Sequence, residues 1–233
     1  MPWIDVDEPY AKTPRLPDIS PRQMSNLTQG DGWTGLDRGW GELVDVQITA
    51  DTMLDLSGCL ELSIDGCRLS GVAIGGGEEL ELTLARSALD GCDLSQVRID
   101  RVANSRITRC KLAGTDLSAC ALTDVVFEQC TLSMTNLRMA KLKRVQFVDC
   151  TLEEVDAYRL KATDVAVPGS SLTGFNLDGL TAERFDLRHA SQISLAVANT
   201  LAGCLVAEHQ LAGLAHALAF AAGVGVERTL GDD

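Results

Sequence analysis

The chain has 233 residues, with 33 Asp and Glu against 20 Lys and Arg, a formal net charge of −13. Apolar residues make up 45%, which excludes wholesale disorder. A pI near 4.6 argues against direct nucleic-acid binding, because phosphates would be repelled. No apolar run approaches the roughly 18 residues of a membrane span, and no secretory signal stands at Met1–Asp5, so the expected compartment is the cytoplasm. Aromatics are only 4%, so something other than large rings must fill the interior.

Taken in chain order, the first 50 residues hold Pro2, Pro9, Pro14, Pro17 and Pro21, five of the six prolines. They read as an extended arm. Trp33 and Trp40 follow among glycines, and either cover the first turn of what comes next or belong to a partly ordered tail. Residues 51–190 then obey a period of five. Leu54, Cys59, Ile64, Leu69, Ile74, Leu84, Leu89, Leu94 and Ile99 mark inward positions in a first register. One unit fails: Gly75-Gly76-Gly77-Glu78-Glu79 would place Glu79 inside, and an unpaired buried carboxylate costs several kcal/mol, so a local loop is expected there.

Between Ile99 and Ile107 the register advances by three extra residues, which reads as a bulge or short loop over 100–104 between two stacks. From Ile107 to Leu187 the period does not slip over seventeen consecutive units. Each unit has an apolar centre and an uncharged residue two positions earlier. Neither a helix nor a flat strand has that period. Five residues can form one side of a square coil, twenty can form one turn, and turns stack at about 4.8 Å.

Residues twenty apart should therefore lie on one another, and the columns agree. Phe127 stacks on Phe147. Val125, Val145, Val165 and Phe185 form a second column, and Leu112, Leu132, Leu152 and Leu172 a third. Cys110, Cys130 and Cys150 continue into Ser170 and Ala190. Outside, Asp116, Asn136, Asp156 and Asn176 alternate carboxylate with amide. Asp124, Arg144, Asp164 and Arg184 alternate in sign. About seven turns give a rod of about 33 Å.

The last segment, 191–233, is expected to cap the rod. Residues 208–222 read as a helix, with Leu211, Leu214 and Leu218 at helical spacing and Gly223 as the residue after its end. Phe220, off the main stripe, is the candidate for a dimer contact.

Motifs for catalysis are missing from this pattern. The eight cysteines lack zinc-type pairing, and Cys110, Cys120, Cys130 and Cys150 fall in the small inward slot as core thiols. His189, His209 and His216 suggest no triad, and the glycine run lacks the Lys-Ser/Thr of a phosphate loop. The reading is no enzyme, no cofactor and no metal.

The units Thr115-Asp116-Leu117-Ser118-Ala119, Thr135-Asn136-Leu137-Arg138-Met139 and Phe175-Asn176-Leu177-Asp178-Gly179 resemble those of the pentapeptide repeat proteins. The resemblance implies an all-β solenoid, a right-handed quadrilateral β-helix, with a C-terminal helix that dimerises. Some members of that family, the quinolone-resistance type, bind type II topoisomerases, DNA gyrase above all, by mimicking the shape and charge of DNA.

The charge is uneven. Residues 1–104 hold 18 acids and 8 bases, net −10, whereas residues 105–190 hold 11 of each and are neutral. A DNA-like field would have to come from the first part, where Asp65, Glu78, Glu79, Glu81, Asp90, Asp93 and Asp100 are the candidate partner-binding carboxylates. It requires one continuous acidic face. The resemblance implies a gyrase-binding mimic giving antibiotic resistance or topoisomerase regulation. The alternative is an interaction scaffold with another protein partner.

Overall fold

The computed structural model describes residues 28–29, 39–56, 59–75 and 80–225. The chain is a right-handed, four-sided parallel β-solenoid of about eight turns, closed at its C-terminal end by a single helix. Every strand pairing among the described residues is parallel, and the regular turns align residues twenty apart. Leu142, for example, lies between Leu122 and Ala162.

Four sides follow from the pairing, each named by its central buried residues. Leu69, Leu89, Ile107, Phe127 and Phe147 stack on the first side. Leu112, Leu132, Leu152 and Leu172 stack on the second, and Leu117, Leu137, Ala157 and Leu177 on the third. Ile64, Leu84, Val102, Leu122, Leu142 and Ala162 stack on the fourth.

These residues and the small ones two positions earlier fill the interior. The Phe127 and Phe147 rings stack at 5.0 Å between centroids, the only way two large rings fit one column at the sheet spacing. In the small slot, buried hydroxyls and thiols donate to backbone carbonyls: Thr135 to Leu112 at 2.9 Å and Ser170 to Phe147 at 2.9 Å. The core therefore stays small, apolar and satisfied.

The corner of each unit, two residues past the centre, takes a left-handed backbone. Arg109, Gln129, Asp149 and Glu154 have φ between 50° and 53°. Such residues cost on the order of 1–3 kcal/mol each. An inter-turn hydrogen bond offsets this: Arg109 N–H donates to Glu128, and Gln129 N–H to Val148, both at 2.8 Å. At Gly203 a side chain is impossible, because a Cβ would run into the Ala182 carbonyl oxygen.

Of the two forms expected for the break at residues 100–104, the structure has the bulge and not the loop. Arg98–Thr108 is one strand, and Val102, fully buried, takes the centre of the fourth side. That side is shortened by two residues rather than extended by three, and Asp100 is squeezed out as a bulge where Leu82 faces Ile99 and Thr83 faces Arg101. The stacked strands also reach back before residue 51. Trp40–Val44 pairs with Glu61–Asp65, and Val46–Asp55 with Arg68–Gly75, which adds a turn to the expected seven. Trp40 is 53% exposed on that first turn, so it covers no core. Trp33 lies outside the described residues.

At the other end, a 3₁₀ turn, Glu208–Gln210, leads into helix α1, Leu211–Ala221. Gln210 pins this junction. Its amide donates to the Leu187 carbonyl and accepts from Ala207 N–H, both at 2.8 Å. Gly223, with φ 72°, follows the helix, and the next two residues form no strand.

Candidate functional site

The described members of the acidic set do not share a side. Asp65 flanks Ile64 on the fourth side, Asp90 flanks Leu89 on the first, and Asp93 precedes Leu94 on the second. Glu81 pairs in register with Arg98, which pairs with Asp116 of the third side. Asp100 projects from the bulge between the third and fourth sides. Glu78 and Glu79 lie outside the described residues.

Several of these charges are already matched. Arg86 grips Asp65 through two hydrogen bonds, at 2.8 and 2.5 Å, and holds its carboxyl below the usual carboxylate range. Arg109 meets Asp90 at 2.5 Å and Arg98 meets Glu81 at 3.2 Å. Hydrogen bonding with Ser95 lowers Asp93 in the same way. Cross-turn arginine pairs of this kind neutralise the field that a phosphate mimic needs.

The regular turns carry the ladders expected from the spacing. Asn136 and Asn176 donate their amides to Asp116 and Asp156 at 2.9 Å. Arg144 pairs with Asp124 at 2.5 Å, and Arg184 with Asp164. Among the described residues no group of three or more His, Cys, Asp or Glu converges as a metal site. The cysteines are free thiols, buried except for half-buried Cys204. Burial pushes Cys120 up to about 12, which makes that thiol a poor nucleophile. Cys110, Cys130 and Cys150 form the expected column, with Cys130 N–H donating to the Cys150 sulfur.

The C-terminal end holds an open groove. It has a volume of about 380 Å³ between strand Gln192–Val197 and α1, lined by Leu195, Val197, His216, Phe220 and Val224 among others. Of the helix residues singled out from the sequence, Leu214 is fully buried and Leu218 is half-buried, while Leu211 and Phe220 remain 44% and 63% exposed. Inward and outward residues of α1 are both apolar, unlike a solvent-facing amphipathic helix.

Period, fold and ladders now meet a family match: residues 100–177 fit the model described as pentapeptide repeat region. That stretch, about a third of the chain, is a pentapeptide repeat region. Similar solved structures include full-length QnrB1, a plasmid-mediated fluoroquinolone resistance protein. It is 15% identical, the match covering 76% of this chain and 97% of that one, with a TM-score of 0.28. HetL from the cyanobacterium Nostoc, involved in heterocyst differentiation regulation, is 17% identical over 71% of this chain and 84% of its own, with a TM-score of 0.28. Rfr23 from Cyanothece is 14% identical over 62% and 91%, with a TM-score of 0.27. No curated protein matches the chain. No helix among the described residues is long and apolar enough to cross a membrane.

Proposed function

We propose that this chain is a non-catalytic rod that binds another protein along its flat sides, in the cytoplasm, where its free cysteines would stay reduced. One observation carries this reading. The interior is filled column by column along the whole solenoid, so the chemistry available to a partner lies in the ordered outward rungs. Affinity capture with the full chain tests it. A protein recovered at stoichiometric amount, and retained after nuclease treatment, is the expected result.

A second reading is a DNA-mimicking ligand of DNA gyrase or another type II topoisomerase, conferring quinolone resistance or regulating the enzyme. The net charge of −13 favours it, while the spread of carboxylates over the sides and their arginine pairs favours the scaffold. A gyrase supercoiling assay with and without a fluoroquinolone, at two salt concentrations, separates the two. Inhibition or drug protection that weakens with salt, and is lost on reversing Glu81, Asp90 and Asp93, selects the mimic. No effect at micromolar protein selects the scaffold.

A homodimer through α1 is part of the same proposal. Exposed Phe220 beside an open apolar groove supports a second copy as its cover. Sedimentation of the wild type as a dimer, and of Phe220→Glu as a monomer, is the expected outcome.

A further inference from the structure

The neutral sum of the regular turns conceals a segregation of charge around the coil. Among the described residues, every ion pair uses an arginine. The described lysines, Lys111, Lys141, Lys143 and Lys161, join none. Three of these four lie on the fourth side. Lys141 and Lys161 are direct register partners, and Lys143 stands two residues further along the same strand as Lys141. All three are exposed. Exposed Arg101 lies in the same column two turns below Lys141, about 10 Å away.

Most ion pairs join a cation to a carboxylate one turn away, as in Arg86 on Asp65, Arg106 on Glu128 and Arg144 on Asp124. Where two carboxylates face one another, at Glu61 and Glu81, Arg98 meets Glu81 at 3.2 Å. Like charges directly opposite in a sheet are destabilising. At the Lys141–Lys161 rung neither lysine joins an ion pair among the described residues, and such unmatched positions concentrate at functional sites.

The adjoining corner adds a second feature. Met139, two residues before Lys141, is 51% exposed in a left-handed conformation. Among the described residues, Met139 and Met134 are the large exposed apolar side chains of the middle of the rod; the others lie toward its two ends. On the next turn, Tyr158 lies under two guanidinium groups, Arg138 at 4.6 Å and Arg159 at 5.1 Å from its ring centre. Arginine, tyrosine and methionine are the residues enriched where proteins meet.

We propose that the edge between the third and fourth sides, carried by Lys141, Lys143, Lys161, Arg159, Met139 and Tyr158, docks a short acidic segment of a partner protein that also carries apolar side chains. The proposal rests on the scaffold reading. Charge complementarity selects an anionic occupant. The extent of the patch, and the net −13 of the chain around it, select a short segment over duplex DNA, whose continuous charge would meet repulsion beyond the patch. Lysine also offers point charges on flexible stems rather than the fork that grips phosphate in fixed geometry.

The test uses the full chain and a fluorescein-labelled 16-residue peptide of alternating Glu and Leu-Glu pairs, with a labelled 20-base-pair DNA duplex as competitor probe. Fluorescence anisotropy should show peptide binding that weakens at least tenfold between 50 and 300 mM salt. Lys141→Gln/Lys143→Gln/Lys161→Gln together should weaken it at least tenfold. The control Arg68→Gln/Lys111→Gln, on the first and second sides, should change it less than twofold. An independent readout is thermal: Lys161→Glu, which converts the repelling rung into a pair, should raise Tm while weakening peptide binding. Tighter binding of the duplex than of the peptide, equal loss in both variant sets, or no binding at 100 µM protein would each overturn the proposal. Capture of a stoichiometric partner that the triple variant still binds would overturn it while leaving the scaffold reading intact.

Discussion

The turns before Asp100 and those after it solve the same problem with different side chains. The later turns carry an outward Asp/Asn ladder, with side-chain amides bonding from turn to turn. The earlier ones lack it and rely on arginine pairs alone, Arg86–Asp65 and Arg98–Glu81, while Arg109–Asp90 ties the two stacks together. Both stacks nevertheless keep the twenty-residue register, the parallel pairing and the buried centres. The ladder is therefore not what makes the chain coil. Burial of the central column and inter-turn backbone hydrogen bonds do that, and the outward pairs tune what each turn shows to solvent. The two-residue shortening at Asp100 makes the same point: the side loses residues, yet Val102 finds the centre because burying it outweighs a local bulge.

The largest test of this comparison is a matched pair of core truncations. Phe127→Ala should cost about 3–5 kcal/mol and Leu84→Ala about 2–5 kcal/mol, read from urea unfolding followed by circular dichroism. If the backbone ladder joins the stacks into one unit, each variant shifts a single transition. Two separated transitions would show that the stacks unfold independently across the bulge.

A smaller effect is expected from the ladder. Asn136→Asp places a carboxylate between Asp116 and Asp156, whose register partner it is. It should cost up to about 1 kcal/mol at low salt, and the loss should shrink at high salt as the repulsion is screened. Thermal melts at both salt concentrations check it.

For the earlier turns, Arg86 lowers the Asp65 pKa. A carboxyl depressed in the folded state adds stability above its unfolded pKa, about 3.9, and loses it as pH falls through the lower folded value. Arg86→Ala should thus lower Tm at pH 7 and converge with the wild type below about pH 4. The pair is partly exposed, so the difference at pH 7 should be modest.

The smallest effect concerns reactivity rather than stability. Under native conditions iodoacetamide should modify Cys204 first, because it alone among the cysteines is not fully buried. Cys110, Cys130 and Cys150 should react only on unfolding, as mass spectrometry would show.

Much of this was legible in the residues themselves. The five-residue period names the inward positions, and the twenty-residue spacing names their neighbours, because a parallel coil converts sequence distance directly into contact. That is why the Phe127–Phe147 stack, the cysteine column and the Asp116–Asn136 ladder follow from the sequence. Lys141 and Lys161 are also twenty apart, and their like charge was a readable signal of an unmatched rung. Other features required the tertiary structure. Val102 was hidden because a shortened side breaks the period locally. The start at Trp40 was hidden because strand pairing, rather than composition, decides where the first turn lies. The acidic residues were legible as a cluster along the chain. Their scattering around the rod was decided by the fold, since a coil sends neighbours in sequence to different sides while gathering distant residues onto one.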